Sequence, residues 1–142
     1  MGLNAGKGQS YELNVVHTLT KKITFADDDD TVEVGWLPAN CGVVGAGVFT
    51  ATAWNGDGED AVNLGFDSSE QGATTDNNAF TETALDLDAL GHVAGDVVST
   101  ANIFFTAPAR VTASPTSAGT APTAGVAYVY VDYVVFDNSE AL

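Results

Sequence analysis

The chain has 142 residues, with 19 Asp and Glu against 4 Lys and Arg and a net charge of −15, a length that one domain usually occupies. Proteins hold nucleic acid by neutralising its phosphates with Lys and Arg; Lys7, Lys21, Lys22 and Arg110 form no basic patch, so DNA, RNA and anionic membranes are excluded as partners. No apolar run approaches the roughly 18 residues of a membrane-spanning helix, and the sequence predicts a soluble protein.

Residues 1–10 are Gly-rich and polar without periodicity, and they read as a flexible N-terminal arm carrying Lys7. They lack the apolar stretch of a secretory signal and the Ser or Thr that follows a myristoylated glycine, so the expectation is synthesis and use without export by a signal peptide. Residues 11–142 are expected to form one β-sandwich. Tyr11, Leu13 and Val15 alternate with polar neighbours, and after a phase change near Val16 the alternation resumes at Leu19, Lys21, Ile23 and Phe25, giving one long strand or two short ones. Residues 27–30 are four consecutive Asp, which resist burial and favour a turn; a strand resumes at 31–34. Cys41 follows Pro38, Ala39 and Asn40 and reads as part of a turn; as the single cysteine it forms no intrachain disulfide and no multi-cysteine zinc site.

The clearest central strand is 43–54, with Val44, Ala46, Val48, Thr50, Thr52 and Trp54 on one face and Val43, Gly45, Gly47, Phe49, Ala51 and Ala53 on the other, both reading as buried. Gly45 and Gly47 leave room for another backbone or a large side chain. A hairpin-type loop at 55–60 leads to a partner strand at 62–66. Residues 67–78 are polar and irregular, and 79–90 read as loop. Two further strands, 97–105 and 109–113, are parted by Pro108; then a Pro-rich connection at 114–125 closes a second hairpin with the strand at 126–136. That last strand is the strongest: Ala127, Val129, Val131, Tyr133 and Val135 form one face, and Val126, Tyr128, Tyr130, Asp132, Val134 and Phe136 the other. The pattern amounts to about seven or eight strands with frequent turns, an all-β antiparallel sandwich of jelly-roll type.

Chemistry is sparse. His17 and His92 are isolated, with no triad or metal spacing around them, and the glycines at 42, 45 and 47 lack the helix and Lys-Ser/Thr ending of a phosphate loop. An enzyme is not expected. Calcium takes six to eight oxygens, and Asn55, Asp57, Glu59 and Asp60 are the candidate ligands; an EF-hand would place Gly and Glu where Asp60 and Phe66 stand. No other cofactor is expected. The aromatic face of the last strand is the better partner clue: Tyr128, Tyr130 and Phe136 suit either a core layer or a subunit interface.

Several segments in order carry a resemblance: Val34-Gly35-Trp36-Leu37-Pro38-Ala39, then Thr52-Ala53-Trp54-Asn55, Val62-Asn63-Leu64-Gly65, and the 119–125 connection before a valine-rich strand. Together, from about residue 20 to 136, they resemble small virion structural proteins of tailed bacteriophages, of the capsid decoration or cement type. The resemblance implies a homotrimer on the outer surface of the head, with the major capsid protein as its second partner, made in the bacterial host cytoplasm and located in the virion. In that role the N-terminal arm with Lys7 and the residues Tyr128, Tyr130 and Phe136 are the interface candidates. The alternative is a carbohydrate- or receptor-binding β-sandwich of a phage fibre or tail, with Trp36 or Trp54 as the stacking platform.

Overall fold

The structure, a computed structural model, describes residues 15–67, 75–97 and 103–136; the expected arm, with Lys7, lies outside them. Among the described residues ten strands follow in chain order: β1 Val16–Thr24, β2 Val32–Leu37, β3 Cys41–Thr52, β4 Asp60–Asp67, β5 Thr75–Asp76, β6 Leu85–Asp86, β7 Gly91–Ala94, β8 Phe104–Phe105, β9 Ala109–Ser117 and β10 Val126–Val135. Their antiparallel pairings are nested: β4 pairs with β5 and β6, β3 with β7 and β8, β2 with β9, and β1 with β10. This is one long hairpin, rolled up so that β10 also pairs with β3 and β9 with β4. The result is a front sheet in the order β1-β10-β3 with β7 and β8 sharing the far edge, and a back sheet in the order β2-β9-β4 with β5 and β6 sharing the far edge. Eight strand positions in two antiparallel sheets make a jelly roll.

Alternation places the core between the sheets. Ile23 of β1, Val43, Ala46 and Val48 of β3, and Ala127, Val129 and Val131 of β10 face Val34 and Leu37 of β2, Val62, Leu64 and Phe66 of β4, and Val111 and Ala113 of β9, all buried. The alternation of β10 agrees with the sequence reading. In β3 it breaks: Gly45 pairs with Asp132 and Val43 with Tyr133, so Val44 is an unpaired bulge residue, 57% exposed. A bulge reverses the phase of a strand, and Val43 therefore faces inward with Ala46 and Val48. The expectation that both faces of this strand are buried also fails, because Phe49 is 51% exposed.

Neither expected hairpin forms. The 55–60 loop carries the chain from β3 in the front sheet to β4 in the back one, and the 118–125 connection carries it from β9 back to β10. These two crossings are tied to each other: Asp57 and Ala118 donate backbone N–H bonds to the carbonyls of Thr120 and Glu59 at 3.2 and 3.0 Å, and Thr123 and Ala124 donate to Asn55 Oδ1 at 2.8 and 2.9 Å. Strand β9 also runs further than expected, through Pro115. The Pro115 carbonyl accepts from Asp29 N at 2.9 Å, so its ring nitrogen, on the same edge, points beyond the end of β2. No ladder bond to β4 is lost, which is where a sheet tolerates proline.

Cys41 opens β3 and is buried; the turn before it is completed by Asn40, whose φ of 58° is one that Asn accepts more readily than most residues. The 79–90 segment is mostly loop, as read, yet it contributes side chains to the core. Phe80 is fully buried, with ring centroids 6.2 Å from Phe66 of β4 and 6.3 Å from Phe105 of β8, and Phe66 meets Phe105 edge-on at 4.9 Å. Between β5 and β6, Phe80 N donates to Leu64 O, and Thr81 Oγ1 accepts from Leu64 N, each at 3.0 Å. Strand β7, which carries His92, was not legible in the sequence, and of the strand expected at 97–105 the described residues, 97 and 103–105, form strand only at β8.

Two outcomes follow from this packing. Truncating Phe80→Ala should cost about 3–5 kcal/mol in urea unfolding, as for an aromatic in a strand core; a loss of under about 0.5 kcal/mol would place it outside the core. Burial pushes the Cys41 thiol up to about 11, so it should react with a disulfide reagent near pH 8 only as fast as the fold opens, and at once in denaturant.

Candidate functional site

The outer surface of the front sheet gathers the unusual side chains. Register decides this: Tyr128 lies opposite Phe49, Tyr130 opposite Gly47 and Asp132 opposite Gly45, while Thr18 and Thr20 of β1 lie opposite Asp132 and Tyr130, and His92 of β7 opposite Phe49. Thr18, Thr20, Phe49, Tyr128, Tyr130 and Asp132 line a groove of 380 Å³. Its floor depends on Gly47: a Cβ there would stand 2.6 Å from the Tyr130 hydroxyl and 2.7 Å from Val93 O. Without that Cβ, the Tyr130 ring crosses β3 and its hydroxyl meets His92 Nε2 at 2.6 Å. The His92 ring stacks on Phe49 at 4.5 Å. At the opposite wall Thr18 Oγ1 donates to Asp132 Oδ1 at 2.6 Å.

Along the same face, Phe136 sits close over Gly42 and 5.8 Å from the exposed Phe104. The face therefore exposes Val44, Phe49, Phe104, Tyr128 and Phe136 in one sheet. Its charged outward positions in the β1, β3, β7 and β10 ladders are Lys22 and Asp132, which is sparse for a chain of net charge −15. The interface candidates Tyr128, Tyr130 and Phe136 are thus on one side of the molecule, as their alternation predicts, and they are not a core layer. Phe49 and His92 are added by pairing, which sequence spacing does not reveal.

The candidate calcium ligands diverge. Asn55 is spent on Thr123 and Ala124, donating to Thr123 Oγ1 at 3.0 Å. Asp57 and Glu59 are exposed. Asp60 is fully buried, and its Oδ2 accepts from Gly56 N at 2.7 Å. Asp60 instead meets Asp88, whose carboxylate accepts from Asp60 N at 3.2 and 3.4 Å. Burial, then the contact with Asp60, raises the Asp88 carboxyl above its ordinary value. Among the described residues no group of three or more His, Cys, Asp or Glu stands together as metal ligands would. His17 stacks on Tyr133 at 5.3 Å. Trp54 is buried against Gly125, whose φ of 149° and close approach to the indole suit glycine alone, so Trp54 offers no stacking platform; Trp36 is partly exposed on the back sheet.

The fold is similar to chains in three solved phage capsids. A chain in the acidic stable capsid structure of Helicobacter pylori bacteriophage KHP30 aligns with a TM-score of 0.62 at 16% identity, over 86% of this chain and 89% of that one. A chain in the capsid of Ralstonia phage GP4 gives 0.59 at 18% identity, over 87% and 86%. One in the capsid asymmetric unit of cyanophage Pam1 gives 0.57 at 15%, over 85% of each. No protein-family model and no curated protein matches the sequence.

The groove has a signature in alkali. Burial, and next the charge of Asp132, raise the Tyr130 phenol, and burial, then Cys41, raises Tyr133. The folded state then favours the protonated phenols, so their stabilisation is complete below the unfolded value of about 10 and is lost as pH rises through the folded values. Unfolding free energy should fall above about pH 10, and Asp132→Asn should lower one phenolate transition in ultraviolet absorbance. An unchanged titration would show that Asp132 does not act on Tyr130.

Proposed function

We propose that this protein is a non-enzymatic virion structural protein of a bacteriophage, a decoration or cement protein that binds the outside of the head as a homotrimer. The observation that carries the reading is the fold correspondence across more than four-fifths of the chain with chains from three phage capsids. Physical chemistry favours the outer surface. A chain of net charge −15 is repelled by packaged DNA, which attracts basic surfaces.

The exposed aromatic face supplies the contact. Apolar surface bordered by polar groups and poor in charge is what subunit interfaces bury, and a rotationally symmetric assembly uses the same patch in every copy. In this reading Tyr128, Tyr130 and Phe136 meet a neighbouring copy or the major capsid protein, and Lys7 in the N-terminal arm adds a cationic contact to an acidic surface.

Electron microscopy of the parent particle with this chain fitted tests the proposal: copies should lie on the outer shell, grouped in threes, with the front sheet covered. A position in the tail or on the inner wall overturns it. In solution, light scattering should give a three-chain mass, reduced to one chain by Phe49→Asp or Tyr128→Asp at unchanged fold. Because like charges oppose assembly, the three-chain fraction should rise from low salt and level off near 0.15 M, where charges beyond about 8 Å are screened. A one-chain mass throughout would remove the trimer.

A further inference from the structure

The back sheet holds a pair of carboxylates with nothing positive between them. Asp60 begins β4 and is fully buried. One of its oxygens is held by Gly56 N, and the other, Oδ1, has no hydrogen-bond partner. The Asp88 carboxylate lies against the start of β4, accepting from Asp60 N at 3.2 and 3.4 Å, and is itself exposed to solvent. Two ionised carboxylates repel at this range, and a buried one without a partner is costly.

Local structure holds the pair together. Leu87 N donates to Asp60 O at 2.9 Å, and Trp54 N to Leu87 O at 3.0 Å, while Asp88 N donates to Asp86 Oδ1 at 2.7 Å. These bonds fix the backbone on both sides, and a Cβ at Gly56 would collide with the Asp60 carboxylate. The ion pair among the described residues is Arg110 with Asp67, at the far end of β4, and no cationic side chain there pairs with Asp60 or Asp88. A proton shared by the pair or a cation from solution would offset the repulsion. A hard cation taking oxygen ligands fits a buried carboxylate oxygen without a partner beside a second carboxylate that is open to water.

We propose that Asp60 and Asp88 hold a divalent cation of the calcium class at the start of β4, with water completing its shell. Two carboxylates are few for calcium, so the site belongs with weak sites of about 10⁻⁴–10⁻³ M. The ion locks the 86–88 segment onto β4 and so fastens β6 and the edge it completes.

The test is the melting temperature of the full chain, freed of metal with chelator and then held at constant ionic strength. Calcium chloride at about 10 mM should raise it by roughly 5–9 °C beyond matched sodium chloride. Asp88→Asn, at a solvent-exposed position, should lose that increment and melt higher than the parent in chelator, because the repulsion is gone; Asp57→Ala should keep it. Terbium should show emission sensitised by tryptophan, displaced by calcium and absent in Asp88→Asn. A calcium response equal to that of sodium chloride, or one that survives Asp88→Asn, overturns the site; in the first case the pair shares a proton instead.

Discussion

The pairing of β10 with β3 is the interaction on which the front sheet rests. Strand β1 has its partner in β10, and β7 and β8 have theirs in β3, so the sheet exists only while these two strands stay in register. The same register serves two surfaces. On the inner side it sets Val129 against Val48 and Val131 against Ala46, and on the outer side Tyr130 against Gly47 and Asp132 against Gly45. A slip of one residue would exchange core and groove together, so the groove inherits its rigidity from the packing behind it.

The parts legible in the sequence are those set by local alternation. Strand β10 could be read to within a residue, faces included, because its period of two is unbroken and a Pro-rich connection precedes it. Strand β3 was read two residues late and with its faces wrong beyond two irregularities, since the unpaired Val44 and Ala51 carry no compositional mark. The pairing of strands was not legible: a turn-rich loop such as 55–60 looks the same whether the chain returns beside itself or crosses to the other sheet, and here its hydrogen bonds go to a connection some sixty residues away. The 79–90 segment was missed as core because Phe80, Leu85 and Leu87 are buried singly, with no period to announce them. At the groove, Tyr128 and Tyr130 follow from the strand pattern, whereas Phe49 and His92 arrive through partners. Asp60 and Asp88 are 28 residues apart, and no spacing rule joins them.

Charge and shape divide the surface between two tasks. Many of the carboxylates stand in turns and loops, at residues 27–30, 57 and 59 among others, where they keep the chain hydrated and repel its own kind. The outward face of the front sheet is left nearly neutral and aromatic. Like charges oppose contacts between acidic surfaces, and this face carries little of that repulsion.

The far edges of both sheets are short pieces: two residues each in β5, β6 and β8, and four in β7. Between β5 and β6 the Thr81 hydroxyl, not a backbone carbonyl, receives the Leu64 amide. A long, regular edge recruits any passing strand, and crowding makes that recruitment more frequent. Broken edges of this kind offer too few consecutive backbone groups to template another chain. At these two edges contact with a neighbour is left to side chains, whereas β1 and β2, of nine and six residues, form the long outer strands at the opposite side of each sheet.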